Sequence, residues 1–295
     1  MSYQLLALDL DGTVITNDLV VPPAVTRAIA AARARGVHVA LATGRTFGAT
    51  RPFAEQLGIR DPLICYQGGM IRDPLSGEIY AHTAMPGDLA AEAVELLLAA
   101  GVFVIAYVEE RLCVAERGAA LDTYLRWHPE GAEVVVASEM GELTTTRQRL
   151  LSQGLNHITS DLAALVAATP PTKLLFVATP PVVEREMLRL AARFDGRLAV
   201  MRSHEIFGEL TAPGVNKGAA LKELASRLGI PREQVIAIGD QENDLPMIIW
   251  AGLGLAMGNA VPAVQGAADA VIPPVEQVGV AWAIERYLLD GADRG

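Results

Sequence analysis

Cysteine is scarce in this chain of 295 residues: there are two, Cys65 and Cys113, far apart in sequence. Nothing in them suggests a disulfide framework, and a reducing, cytoplasmic compartment is expected. Cys65 lies in an apolar run, which suits core packing. Positive charge is also short. Lys and Arg number 24 against 34 Asp and Glu, a net charge of −10. Nucleic acids and anionic membranes are therefore not expected partners. A small anionic substrate fits only where local cations or a metal reverse the field. The five histidines, His38, His82, His128, His157 and His204, show no ligand spacing. No long hydrophobic run is present. The most apolar stretch, 91–108, is broken by Glu92, Glu95 and Gly101 and reads as a helix followed by a strand, not a membrane span. The N-terminus lacks a basic region before its apolar run, so no signal peptide is expected. Internal repeats and low-complexity segments are missing too. Gly252, Gly254 and Gly258 do not have dinucleotide-fingerprint spacing, and Leu245 stands where a calcium loop requires glycine.

What is present is organised around Leu5-Leu6-Ala7-Leu8-Asp9-Leu10-Asp11-Gly12-Thr13. A short apolar run bounded by a turn signal reads as a buried strand. Alternation puts Asp9 and Asp11 on one side of it. Carboxylates at the end of a buried strand are costly unless paired, and a divalent cation is a suitable partner. Gly12 allows a turn and close approach to a ligand, and its N–H is an expected anion donor. Taken alone, the stretch is open to two readings: a nucleophilic aspartate with a second carboxylate as acid/base, or an Asp-Gly turn at the surface.

The remainder alternates strand and helix. A helix opened by Pro22-Pro23 ends near Arg35, and Val37–Ala42 is a strand ending in Thr43-Gly44-Arg45. Another helix runs to about Leu57, and Leu63–Tyr66 is a third strand, followed by Gln67-Gly68. From about Met85 the texture changes to mixed helix and strand, with a helix expected over Ala119–Trp127 and little pattern from there to about Asn156. From Pro213 the alternation resumes, with a helix from Lys217, a strand ending in Gly239-Asp240, and a last helix over Val275–Leu289. The expected fold is α/β: a doubly wound, Rossmann-like parallel-sheet core over 1–84 and 211–295, with an α+β domain inserted over 85–210. Ligands of such sheets sit beyond the strands' carboxyl ends, where Asp9, Asp11, Thr43, Gln67 and Asp240 all fall.

These residue types suit phosphoryl transfer, which needs a nucleophile, charge neutralisation and donors around the phosphoryl oxygens. A carboxylate nucleophile can form an aspartyl-phosphate, and being anionic it needs a metal between it and the phosphate. Mg²⁺ prefers oxygen ligands, which Asp9 and Asp240 could supply. Thr43 and the N–H of Gly44 could donate to phosphate, and Lys217 offers a point charge. Asp11 could protonate the leaving oxygen and then deprotonate the attacking water.

Four motifs, Asp9-Leu10-Asp11-Gly12-Thr13, Thr43-Gly44-Arg45, Gly214-Val215-Asn216-Lys217-Gly218 and Gly239-Asp240-Gln241-Glu242-Asn243-Asp244, resemble in this order the haloacid dehalogenase-like phosphatases, specifically their Cof-like sugar-phosphatase group. The resemblance covers essentially the whole chain. It implies Asp9 as nucleophile and Asp11 as general acid/base, with Thr43 and Lys217 on the phosphate and Lys217 steadying Asp9. It implies Mg²⁺ on Asp9, Asp240 and the Asp11 backbone carbonyl, with Asn243 and Asp244 supporting the phosphate and the metal's waters. It makes the insertion an α/β cap and the activity a phosphatase acting on small phosphorylated metabolites. Gln67 departs from the family, which usually has Asn-Gly there. Arg45 has no assigned role, and His204-Glu205 is a candidate substrate contact. A phosphomutase of the same superfamily and a phospho-accepting signalling module are the alternatives. The signalling module places its acceptor after the third strand and lacks both the insertion and the second acid.

Overall fold

The structure, a computed structural model, describes residues 3–16, 18–115 and 157–289. The helix expected over 119–127, His128 and the stretch to 156 lie outside them. The chain divides into two compact units, Met1–Ala81 with Asn216–Gly295 and His82–Val215. The divisions expected from sequence were 84/85 and 210/211.

The first unit starts with β1 (Leu5–Leu8), whose four side chains are all buried. Then come α1 (Pro23–Ala34), β2 (His38–Leu41) and α2 (Phe47–Gln56). Pro at the first turn opens α1, where a missing N–H costs nothing. Thr46 caps α2, its side chain accepting from the N–H of Ala49. A small sheet follows: β3 (Leu63–Cys65), β4 (Met70–Arg72) and β5 (Ile79–His82). The third strand was expected in the main parallel sheet. It belongs to a separate three-stranded sheet, lies beside the residues after β2 through a parallel bridge from Ala42 to Ile64 and a bond from the Thr43 N–H to the Ile64 carbonyl, and pairs antiparallel with β4. The cause is local: Tyr66 and Gln67 have φ of 53° and 60°, which folds the chain back on itself.

The inserted unit contains α3 (Gly87–Ala99), β6 (Phe103–Val108), β7 (Arg111–Ala115), β8 (His157–Thr159), α4 (Leu162–Ala168), β9 (Lys173–Val177), α5 (Pro180–Phe194), β10 (Ala199–His204) and β11 (Phe207–Thr211). Its sheet has the order β10-β11-β9-β6-β7-β8. The pairings are antiparallel apart from β7 with β8. Val104, Ala106, Leu174, Phe176 and Leu210 share one sheet face and pack with Val94, Leu97, Val183, Leu190 and Phe194 of the helices. Burying each of the larger side chains contributes roughly 1.5–3 kcal/mol. Lys173 and Tyr107 are cross-strand partners at the alternate positions. There the Lys173 ammonium lies 4.3 Å from the Tyr107 ring centre and 3.0 Å from Glu209 Oε2.

The chain then completes the first unit with α6 (Lys217–Arg227), β12 (Val235–Gly239), α7 (Leu245–Trp250), β13 (Leu253–Met257), α8 (Pro262–Ala267), β14 (Ala270–Ile272) and α9 (Gly279–Ile284). The main sheet has the order β14-β13-β12-β1-β2, with every pairing parallel. The single helix expected over 275–289 is interrupted at Val278, whose φ is 53°; a 3-10 turn precedes it, and α9 ends in a π turn over Glu285–Leu289. Because β1 lies between β12 and β2, the residues after the three strands meet at one edge. That edge carries the site.

Candidate active site

Asp9 follows the last residue of β1, and its N–H donates to the Ile238 carbonyl of β12 at 2.9 Å. This pairing fixes the backbone, so the side chain leaves the sheet edge in one direction. Asp240 follows β12 and Thr43 lies just beyond β2. All three are at most 5% exposed. Lys217 opens α6, capped by Asn216, whose side chain accepts from the N–H of Ala219 at 2.8 Å. Its stem is buried, and its Nζ donates to Asp9 Oδ1 at 2.5 Å and to Asp244 Oδ1 at 2.6 Å. The other oxygen of Asp244 accepts from the N–H groups of Asp240 and Gln241 at 2.9 and 3.0 Å. Asp244 thus ties Lys217 to the loop that carries Asp240.

One oxygen each of Asp9, Asp240 and Asp244 lie within 4.8 Å of one another. Burial raises Asp9 well above the usual carboxylate range; Asp244 adds to the rise and Lys217 opposes it. Asp240 is pushed up to about 7, chiefly by burial and then by Asp244. Burial opposes the charge on Lys217, but Asp244 and Asp9 outweigh it and raise its pKa. Three buried carboxylates thus face one ammonium. An all-oxygen, net-negative cluster of this kind fits a hard divalent cation such as Mg²⁺.

Gly12 has a φ of 72°, and a Cβ there would come within 2.5 Å of Asp240 Oδ2. Only glycine fits that turn without displacing Asp240. The expectation that its N–H serves a phosphate needs correction: that N–H donates to the Ile15 carbonyl at 3.1 Å, closing the turn. The role of Gly12 here is steric. The Gly12 carbonyl accepts from Asn259 Nδ2 at 2.8 Å, and the Thr13 hydroxyl reaches Asp240 Oδ1 at 3.4 Å. Neither contact was read from the sequence. Nothing in the residue types at Gly258-Asn259 points to a loop far away in the chain.

The Thr43 hydroxyl accepts from the Arg45 N–H at 3.2 Å and still carries a proton that it can donate. A Cβ on Gly44 would sit 2.5 Å from Gln67 Nε2, so this glycine admits the longer amide. Gln67 is buried, and its Oε1 accepts from Asn243 Nδ2 at 2.9 Å. The residue that departs from the Asn-Gly pattern thus links two of the four motifs. Asp11 lies apart from the three-carboxylate cluster. Its carboxylate takes both arms of the Arg45 guanidinium, Nε to Oδ2 at 2.9 Å and Nη2 to Oδ1 at 2.5 Å. Arg45, which carried no role in the sequence, is 2% exposed.

The model of the haloacid dehalogenase-like hydrolases matches residues 6–284, which spans every one of these groups. The chain belongs to that family. Members of its phosphatase group hydrolyse phosphate monoesters, and this chain is a Cof-like phosphatase among them. It is 27% identical to the 5-amino-6-(5-phospho-D-ribitylamino)uracil phosphatase YitU of Bacillus subtilis, over 96% of this chain and 97% of the relative. It is also 27% identical to the pyridoxal phosphate phosphatase YbhA of Escherichia coli, covering 98% of this chain and all of the relative. A crystal structure of a haloacid dehalogenase-like hydrolase from Bacteroides thetaiotaomicron superposes with a TM-score of 0.75. It has 30% identity and covers 97% of this chain and 99% of that one.

Proposed function

We propose that this phosphatase hydrolyses phosphomonoesters of small metabolites, sugar phosphates first among them, through an acyl phosphate on Asp9. One observation carries the reading: Asp9 stands buried at a strand end with one oxygen held by Lys217, which Asp244 holds in turn. That arrangement fixes a carboxylate oxygen for in-line attack and keeps a cation beside the phosphoryl oxygens. Asp11 serves as acid to the leaving oxygen and then as base to water. The Thr43 hydroxyl, the Gly44 N–H, Lys217 and the Asn243 amide bind the phosphate. Asp9, Asp240 and the Asp11 carbonyl would hold Mg²⁺, with Asp244 in support. The bound cation would neutralise the phosphate's negative charge. A cytoplasmic location suits the two buried cysteine thiols, Cys65 and Cys113.

The relatives' names extend the candidate leaving groups to pyridoxal and to a ribitylamino-uracil. Testing phosphorylated metabolites for phosphate release, with Mg²⁺ and with excess chelator, decides the reading. Release that needs Mg²⁺ is expected, and full activity in chelator contradicts the metal assignment. Return of an isomeric hexose phosphate instead of inorganic phosphate would identify a mutase.

Mg²⁺ binding is expected to be coupled to proton release. Below about pH 7 the Asp240 carboxyl holds a proton that the cation must displace, so apparent affinity should fall as the pH drops. The limit is roughly tenfold per pH unit for one displaced proton. Calorimetric titration between about pH 8 and about pH 6 measures it. An affinity constant across that range would contradict the Asp240 assignment.

Every residue given a role lies outside 82–215, and we assign the choice of substrate to that inserted unit. A chimaera carrying the corresponding unit of a relative should adopt the relative's ranking of substrates. A chimaera that keeps the parent's ranking would place specificity in the first unit.

A further inference from the structure

Arg45 is a buried cation that the phosphate chemistry above leaves unused. A guanidinium taken out of water is costly unless it is paired and packed. Here the Phe53 ring of α2 lies 5.1 Å from the guanidinium carbon, and the Asp11 carboxylate meets the fork with both oxygens. A two-armed contact fixes orientation as well as distance. The Asp11 side chain is otherwise 47% exposed and would sample several rotamers. The same residue donates its backbone N–H to the Thr43 hydroxyl. One residue therefore sets both the phosphate-binding threonine and the acid/base carboxylate.

We propose that the Arg45 side chain positions Asp11, and that this side chain acts on the reaction only through Asp11. This rests on the reading of Asp11 as acid/base. In the first half-reaction the bond from an Asp9 oxygen to phosphorus forms and the ester P–O bond breaks. The proton on Asp11 passes to the departing oxygen. In the second half-reaction a water oxygen bonds to phosphorus and gives its proton to Asp11. The bond from phosphorus to the Asp9 oxygen then breaks, and both aspartates return to their starting forms. At each stage one oxygen of Asp11 gives up its Arg45 arm to carry the proton. The other stays on Arg45, which holds the carboxyl in register through both transfers.

The experiment compares wild type with Arg45→Met, Arg45→Lys, Asp11→Asn and the Arg45→Met/Asp11→Asn pair, on an alkyl phosphate and on p-nitrophenyl phosphate. Alkoxide departs only with a proton, whereas p-nitrophenolate departs without one. Arg45→Met should lower kcat on the alkyl ester by about 30- to 100-fold, within the range for a general acid/base, with KM changed less than about threefold. On p-nitrophenyl phosphate it should release a burst of nearly one p-nitrophenolate per site and then turn over slowly, because phosphoenzyme hydrolysis still needs the base. Lys keeps the charge without the fork, so Arg45→Lys should fall between wild type and Met; it also serves as the test if the Met variant fails to fold. In the Asp11→Asn background, Arg45→Met should cost nothing further. An equal loss in both backgrounds, with KM raised, would make Arg45 a direct phosphate ligand and overturn the proposal. Wild-type kcat in both Arg45 variants would overturn it as well. Full alkyl-ester turnover by Asp11→Asn would instead remove the acid/base reading on which it rests.

Discussion

Asp9→Asn is expected to lower turnover by at least about a thousandfold, as loss of a covalent nucleophile does in other enzymes. The amide keeps the shape of the side chain but cannot attack phosphorus. The fold should survive. Burial and the neighbouring Asp244 already favour the uncharged form of Asp9, and asparagine is uncharged at every pH. In the metal-free protein the substitution should therefore leave the melting temperature equal or higher at neutral pH. Residual activity above about a hundredth of wild type, in a preparation free of contaminating phosphatase, would take the nucleophile role from Asp9.

Lys217→Met should abolish activity and also damage the fold, and that pairing separates it from Asp9→Asn. Its ammonium makes both the 2.5 Å contact to Asp9 and the 2.6 Å contact to Asp244. Removing one partner of a buried ion pair costs on the order of 3–5 kcal/mol. The carboxylates left behind can escape part of that cost by taking up protons. The folded-state pKa of Asp9, already raised, then lies further above its unfolded value, and the folded protein binds more protons than the unfolded one. Stability must therefore fall as the pH rises from about 4 upward. Melting curves of the metal-free variant at about pH 5 and about pH 8 should show the larger deficit at pH 8. An equal deficit at both would mean that Lys217 contributes packing and not charge. Adding Asp244→Asn should recover part of the loss at pH 8, since it removes one of the stranded charges.

The parts of the site legible in the sequence are those fixed by strand ends. Leu5–Leu8 is apolar throughout, so its end had to be a sheet edge, and Asp9 had to stand there. The helix expected from Lys217 is α6, and Lys217 is its first residue. The contacts that escaped sequence reading join residues far apart in the chain. Nothing near Arg45 announces that Asp11 lies within reach of its guanidinium, and a polar residue at a helix start reads equally well as surface. Gln67 looked like a loss relative to the family pattern, because the space above Gly44 that accommodates it is a property of packing. The closing carbonyl of Ile15, which takes the N–H of Gly12, depends on a turn geometry that residue types do not specify. The antiparallel pairing of the third strand with β4 is hidden for a similar reason: Tyr66 and Gln67 are left-handed there, and such side chains seldom take that conformation. Within the inserted unit, alternation along β6 and β9 showed the strands but not that Lys173 and Glu209 pair between β9 and β11.

The central claim is a phosphate carried covalently on Asp9, and rapid acid quench during turnover tests it most directly. Enzyme mixed with a labelled phosphomonoester and Mg²⁺, quenched within the first turnover and digested, should yield one labelled peptide. Its mass should be raised by one HPO₃ group, and fragmentation should place that group on Asp9. The label should form and decay at rates consistent with kcat, and Asp9→Asn should show none. Phosphate release at the full rate with no labelled peptide at any quench time, or with the label on another residue, would contradict the account.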